Sequence, residues 1–136
     1  YEGERTQVIP SLINRVLNSK DGDTIVVWGS GNQGRAFVHV DDVVQAIFSC
    51  TNNFNLPEYM QIGPSVCTSI KDIVNDLIKI SGKKLKVNYD TTKPEGDKGR
   101  CANFELAKKT INWSPRVNLH EGLKDTYNWV KSKKNE

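Results

Sequence analysis

Arginine is the side chain best suited to gripping a phosphate. The chain holds five arginines among its 19 cationic residues, and two of them follow a glycine, as Gly34-Arg35 and Gly99-Arg100. A planar guanidinium can meet two phosphate oxygens at once, and an adjacent glycine leaves the backbone open to close approach. Just upstream, Gly29-Ser30-Gly31-Asn32-Gln33-Gly34 spells G-x-G-x-x-G after the run Thr24-Ile25-Val26-Val27-Trp28. In a dinucleotide-binding loop the third glycine lies inside a helix whose N-terminus holds the pyrophosphate. An acidic residue about 20 positions on then binds the ribose. Here Arg35 to Val40 is β-rich, and the place of the acid reads Ser49-Cys50-Thr51-Asn52-Asn53. Two strands around a Gly/Asn turn, a hairpin, account for these letters better.

Other reactive residues carry less. Tyr89-x-x-x-Lys93 and Tyr127-x-x-x-Lys131 match a spacing in which lysine lowers a tyrosine pKa, but in a lysine-rich chain the pattern arises by chance. His39 and His120 lack a partner acid at diagnostic spacing, so no triad or metal site is assigned, and His39 is expected to pack on a strand. Asp41-Asp42 reads as a helix start in which Asp41 is the cap. The three cysteines, Cys50, Cys67 and Cys101, are odd in number and without C-x-x-C spacing, which predicts thiols rather than a disulfide framework. No catalytic residue is assigned.

The elements that would position Arg35 and Arg100 are legible in the periodicity. Val8, Ile9, Leu12, Ile13, Val16 and Leu17 recur with a helical period from Gln7 to Leu17, closed by Asp21-Gly22-Asp23. A second helix carries Val43, Val44, Ala46, Ile47 and Phe48 and ends at Asn52-Asn53; Tyr59 to Ile62 then reads as a short strand. Ser69 caps a third helix, with Asp72 at the capping-box position, Ile70, Ile73, Val74, Leu77 and Ile78 on one face, and Gly82 at its end. Leu85 to Tyr89 alternates as a half-buried strand, and a polar loop runs from Asp90 to Gly99. Phe104 to Ile111 forms a short helix broken at Trp113-Ser114-Pro115, and Leu119 to Lys131 a last one with Leu119, Leu123, Tyr127 and Val130 inward. The pattern is α/β.

At 136 residues, 37% hydrophobic and 26% charged, the chain has globular composition and fits one domain, residues 1–136. No apolar run nears the roughly 18 residues of a membrane span, and the first residues do not read as a signal segment, so a cytoplasmic protein without membrane association is expected. The net charge of +3 favours an anionic ligand. No basic stripe interleaved with aromatics appears, which speaks against nucleic acid.

Val27-Trp28-Gly29-Ser30-Gly31 followed by Arg35-x-Phe37-Val38-His39-Val40-Asp41-Asp42 resembles the second half of extended short-chain dehydrogenase/reductases, the NAD-dependent epimerases and dehydratases of nucleotide sugars. Further matches follow in collinear order. Met60-Gln61-Ile62-Gly63 resembles their F-N-I-G segment, Ser69-Ile70-Lys71-Asp72 their helix start, and Lys93-Pro94-Glu95-Gly96 with Gly99-Arg100 their K-P-x-G…R loop. Trp113-x-Pro115, Leu119-x-Glu121-Gly122-Leu123 and Thr126-x-x-Trp129 resemble their ending. Within the family the GDP-sugar branch, GDP-fucose synthases and GDP-mannose 3,5-epimerases, is most similar. Thr6-Gln7 stands where the epimerase pattern has Glu-Lys, and Ile111-Asn112 where the family has Leu-Gly.

The resemblance implies an α/β fold: the small C-terminal substrate-binding lobe of an extended short-chain dehydrogenase, with short strands, about five helices and no Rossmann half. It implies that Gln33 and Arg35 contact a nucleotide sugar, that Arg100 binds a phosphate, and that Gln7, Val8 and Arg15 line the base and ribose pocket. NAD or NADP would belong to a parent enzyme and not to these residues alone. Tyr1-Glu2-Gly3 resembles the stretch just past the family's Y-G-P turn, so a piece of a larger enzyme is expected, inactive by itself, whose partner is the N-terminal Rossmann half and which could dimerise as a whole. The competing expectation is a non-catalytic binding or scaffold protein of the same fold that contacts protein or RNA.

Overall fold

Residues 7–53, 55–96 and 98–134 are described by the computed structural model. The expectations placed on residues 1–3 and on Thr6 lie outside them. In order the elements are α1 (Val8–Asn18), β1 (Thr24–Trp28), β2 (Gly34–Arg35), α2 (Val40–Thr51), β3 (Thr68–Ser69), α3 (Ile70–Ser81), β4 (Lys86–Asp90), β5 (Gly99–Arg100), α4 (Glu105–Ile111) and α5 (Leu119–Lys134). This is the expected α/β fold of five helices and short strands. The chain divides into two units, one drawn from Tyr1–Gln33, Ser69–Gly96 and Leu123–Glu136, the other from Gly34–Thr68 and Asp97–Gly122.

In the first unit, α1 buries Leu12, Ile13 and Val16, and α3 buries Ile70, Ile73, Val74 and Leu77, the helical spacing that places four side chains on one face. Pro10 falls in the first turn of α1, where its missing N–H costs nothing. Ser69 caps α3 as expected: its hydroxyl oxygen accepts the Asp72 N–H at 3.1 Å while its O–H donates to Asp72 Oδ2 at 2.6 Å. Gly82 ends the helix at φ 70°. Ile25 and Val27 of β1 point into the core, as do Leu123, Tyr127 and Val130 of α5.

β1 pairs with β4, and the pairing is parallel, from Thr24 opposite Lys86 to Trp28 opposite Asp90. The expected hairpin is therefore wrong. Gly29 and Gly31 do take positive φ, 79° and 77°, but the turn does not fold the chain back onto β1. Its carbonyls instead dock on the start of α3, Gly31 O accepting from Lys71 N at 2.8 Å and Gln33 O from Ile70 N at 3.1 Å. A parallel partner must arrive by a crossover, which the helix α3 ahead of β4 supplies.

In the second unit, β2 pairs in parallel with β5. Ala46, Ala107 and the fully buried Trp113 form the core, packed by Val38, Met60, Ile62, Phe104 and Ile111. The expected strand at Tyr59 to Ile62 is absent; Met60 and Ile62 pack without a ladder. The cap of α2 is His39, not Asp41: its Nδ1 accepts the Asp41 N–H at 3.3 Å, and it lies in extended backbone outside any strand. Asp42 is 3% exposed, and its carboxylate accepts N–H bonds from Arg116 and Val117 at 3.0–3.1 Å. Val44, Ile47 and Phe48 of α2 are exposed. Asn112, standing where the family has glycine, takes φ 50° and ψ 38°, the left-handed geometry that asparagine tolerates best after glycine.

Candidate functional site

The Gly29–Gly34 turn is a closed structure. Several of its amides are engaged: Gly29 N–H donates to Asp90 O at 2.9 Å, Asn32 N–H to Ser30 Oγ at 3.1 Å and Gly34 N–H to Lys98 O at 2.9 Å. Ser30 gives both its N–H, at 3.1 Å, and its O–H, at 2.6 Å, to the Glu95 carboxylate. Those two hydrogen bonds, the hydroxyl first and the amide second, hold the exposed Glu95 below the usual carboxylate range. A Cβ on Gly31 would collide with the Tyr89 ring, and one on Gly29 would come within 3.1 Å of Glu95 Cγ. The Glu95 carboxylate already takes the Ser30 amide and hydroxyl that an anion in the turn could use, and a strand, not a helix, follows. The turn does not fit NAD or NADP.

Gln33 ends this turn. Its Nε2 donates to Trp28 O at 3.3 Å, and its Oε1 is buried without a partner. In the same unit Gln7 is the N-cap residue of α1, exposed and making no side-chain cap bond, and Val8 follows it, 37% exposed. Arg15 lies two turns further on, on Val8's side of the helix by the seven-residue interval. Its guanidinium donates to Val26 O and borders an open groove of about 430 Å³ shared with Asn18, Ser19, Asp23 and Thr24.

Arg35 and Arg100 come together in the second unit. They are opposite residues of the parallel β2–β5 ladder, with Gly34 opposite Gly99, and Ala36 N–H donates to Arg100 O at 2.9 Å. Arg35 is half-buried, its Nη1 donating to Gly34 O at 2.7 Å, and Arg100 is exposed. The pairing thus brings two guanidinium-bearing residues onto neighbouring strands, the donor type suited to phosphate oxygens.

The glycines beside them, expected to admit a ligand, admit a disulfide. Cys67 and Cys101 are bonded, with Cα atoms 5.1 Å apart, and Cys50 is the free cysteine. A Cβ on Gly34 would stand 3.0 Å from Cys67 Cβ, and one on Gly99 would stand 3.7 Å from Cys67 Sγ. The thiols expected at positions 67 and 101 are thus corrected to a crosslink. No spacing rule signals it, because the two cysteines meet only through the β2–β5 pairing.

The two Tyr-x-x-x-Lys pairs do not activate a tyrosine. Burial, with a smaller contribution from the Asp72 charge, pushes Tyr89 up, and Lys93 lies over the Trp28 ring at 5.8 Å. Burial likewise raises Tyr127. A catalytic pair would need the opposite shift. Among the described residues no group of three or more His, Cys, Asp or Glu could hold a metal ion, and no helix is long and apolar enough to cross a membrane.

Residues 1–63 match the model of the NAD dependent epimerase/dehydratase family. Over 131 residues the chain is 32% identical to a putative GDP-L-fucose synthase 2 of Arabidopsis thaliana, covering 95% of this chain and 40% of that protein. It is 31% identical to the GDP-mannose 3,5-epimerase of the same plant, covering 96% and 34%. Among solved structures, UDP-glucuronic acid 4-epimerase from Bacillus cereus, in complex with UDP-glucuronic acid and NAD, superposes with a TM-score of 0.81 at 29% identity, covering 93% of this chain and 40% of that one. The chain spans about two fifths of the length of the curated relatives it matches.

Proposed function

We propose that the chain, whose residues 1–63 match the NAD dependent epimerase/dehydratase family, is the nucleotide-sugar-binding portion of such an enzyme, with a GDP-hexose as the ligand. The observation that carries this reading is the pairing of Arg35 opposite Arg100. Their guanidiniums would take the diphosphate oxygens through charge-assisted hydrogen bonds. Gln33, whose Oε1 has no partner, would turn its amide to the nucleotide sugar, relieving a buried unsatisfied acceptor worth about 1–3 kcal/mol.

In this reading the chain's work is binding and orientation. Fixing the diphosphate fixes the sugar ring that it carries, and alignment of the ring with a hydride acceptor supplies much of the rate. NAD or NADP supplies the hydride chemistry when bound, but the Gly29–Gly34 turn is no site for it. The reading therefore assigns the cofactor to a Rossmann half of a longer protein, leaves this chain inactive by itself, and places the whole in the cytoplasm. A GDP rather than UDP sugar is favoured by the GDP-sugar relatives.

Titration calorimetry of the chain with GDP-, UDP- and dTDP-hexoses tests the reading. GDP-sugars should bind most tightly, and Arg35→Ala and Arg100→Ala should each weaken binding by about tenfold or more, the scale of a hydrogen bond to a charged group. If neither substitution weakens it, the phosphate assignment falls.

A further inference from the structure

The Cys67–Cys101 disulfide closes over the strand pair that presents the two arginines. Cys67 seats its side chain against Gly34 and Gly99, the residues directly before Arg35 and Arg100, and Cys101 directly follows Arg100. β2 and β5 are two residues each, so the ladder alone is a weak constraint: its flanking bonds are Gly34 N–H to Lys98 O and Ala36 N–H to Arg100 O, both 2.9 Å. A crosslink across 34 positions of sequence restricts the loosened chain far more than such a ladder can. Cys101 is an exposed residue and Cys67 a half-buried one, so Cys101 is the end of the crosslink nearer solvent.

We propose that Cys67–Cys101 is a reversible redox brace: oxidised, it locks Arg35 beside Arg100; reduced, it lets the pair separate and weakens diphosphate binding. The ligand half of this inference rests on the proposed function. The reductant is a dithiol. One of its thiolates attacks Cys101 Sγ, the protein S–S bond breaks, and Cys67 leaves as a thiolate that takes up a proton. The second thiol of the reductant then attacks the mixed disulfide and releases Cys101, so two electrons pass to the protein and the reductant ends as a disulfide.

The test compares the chain purified without reductant, the same chain in dithiothreitol, and Cys101→Ser, which leaves Cys67 between the glycines. Alkylation mapping should find positions 67 and 101 protected before dithiothreitol and labelled after it. Amide exchange at Gly34 and Ala36 should rise about tenfold or more on reduction and in Cys101→Ser, while Leu77 in the other unit stays unchanged. Affinity for GDP should drop several-fold in parallel. Unchanged exchange at Gly34 and Ala36, or full labelling of both cysteines in the unreduced chain, overturns the brace. Equal GDP affinity in both states overturns its coupling to the ligand. Absence of GDP binding in every state, with exchange still responding to reduction, supports the brace and overturns the proposed function instead.

Discussion

Glu95 occupies the Gly29–Gly34 turn as a built-in anion, and that one side chain decides what the turn can bind. Its two bonds from Ser30 are stronger to the charged carboxylate than to the neutral acid, and they depress its pKa below the ordinary glutamate value. The sign follows: a folded pKa below the unfolded one means that the contact stabilises fully above the unfolded value and is lost as pH falls through the lower folded value. In an NMR titration the Glu95 carboxyl should show a midpoint below that of an ordinary glutamate, with the Ser30 amide shift following it. Ser30→Ala should raise that midpoint by removing the leading cause. A midpoint at the ordinary value, unaffected by Ser30→Ala, would remove Glu95 from the turn.

Among the elements, α1 owes its ending to a residue 64 to 67 positions away. Lys83 Nζ donates to Val16 O at 2.7 Å, Leu17 O at 3.0 Å and Ser19 O at 2.7 Å, so one ammonium satisfies carbonyls that a helix C-terminus leaves open. Lys83→Met keeps much of the side-chain volume and removes the donors; it should lower stability by about 1–3 kcal/mol in urea unfolding, the range for hydrogen bonds to a charged group. A change within about 0.5 kcal/mol, the range of an ordinary surface substitution, would reduce Lys83 to one. The local signals were legible: Ser69 and Gly82 bound α3 as the capping pattern says, and Ile70, Ile73, Val74 and Leu77 are buried as their spacing says. Lys83, Asp42 and the Cys67–Cys101 pair were not. Each acts on a partner at least 34 residues away, and no periodicity carries that distance.

For the molecule as a whole, the net charge of +3 should draw in an anionic nucleotide. GDP affinity should fall as sodium chloride rises from low to high ionic strength, and fall less steeply in Arg35→Ala and Arg100→Ala, because screening acts on the charges those variants lack. Calorimetry at several salt concentrations measures it; a salt-independent affinity would point to binding without the arginines.

The sequence by itself determined the five helices, the Ser69 and Gly82 ends of α3, and the half-buried strand, expected over Leu85 to Tyr89 and found at Lys86–Asp90, since each rests on neighbouring residues. Hydrogen bonding and side-chain spacing within a helix are local, so the letters suffice. Tertiary structure alone decided that β1 pairs with β4 rather than with the strand after its turn, that Arg35 stands opposite Arg100, and that two cysteines counted as thiols are joined. A backbone N–H in a strand can pair with any strand that reaches it, and which one does is set by how the helices pack. The two Gly-Arg dipeptides were visible from the start; their meeting was a property of the fold.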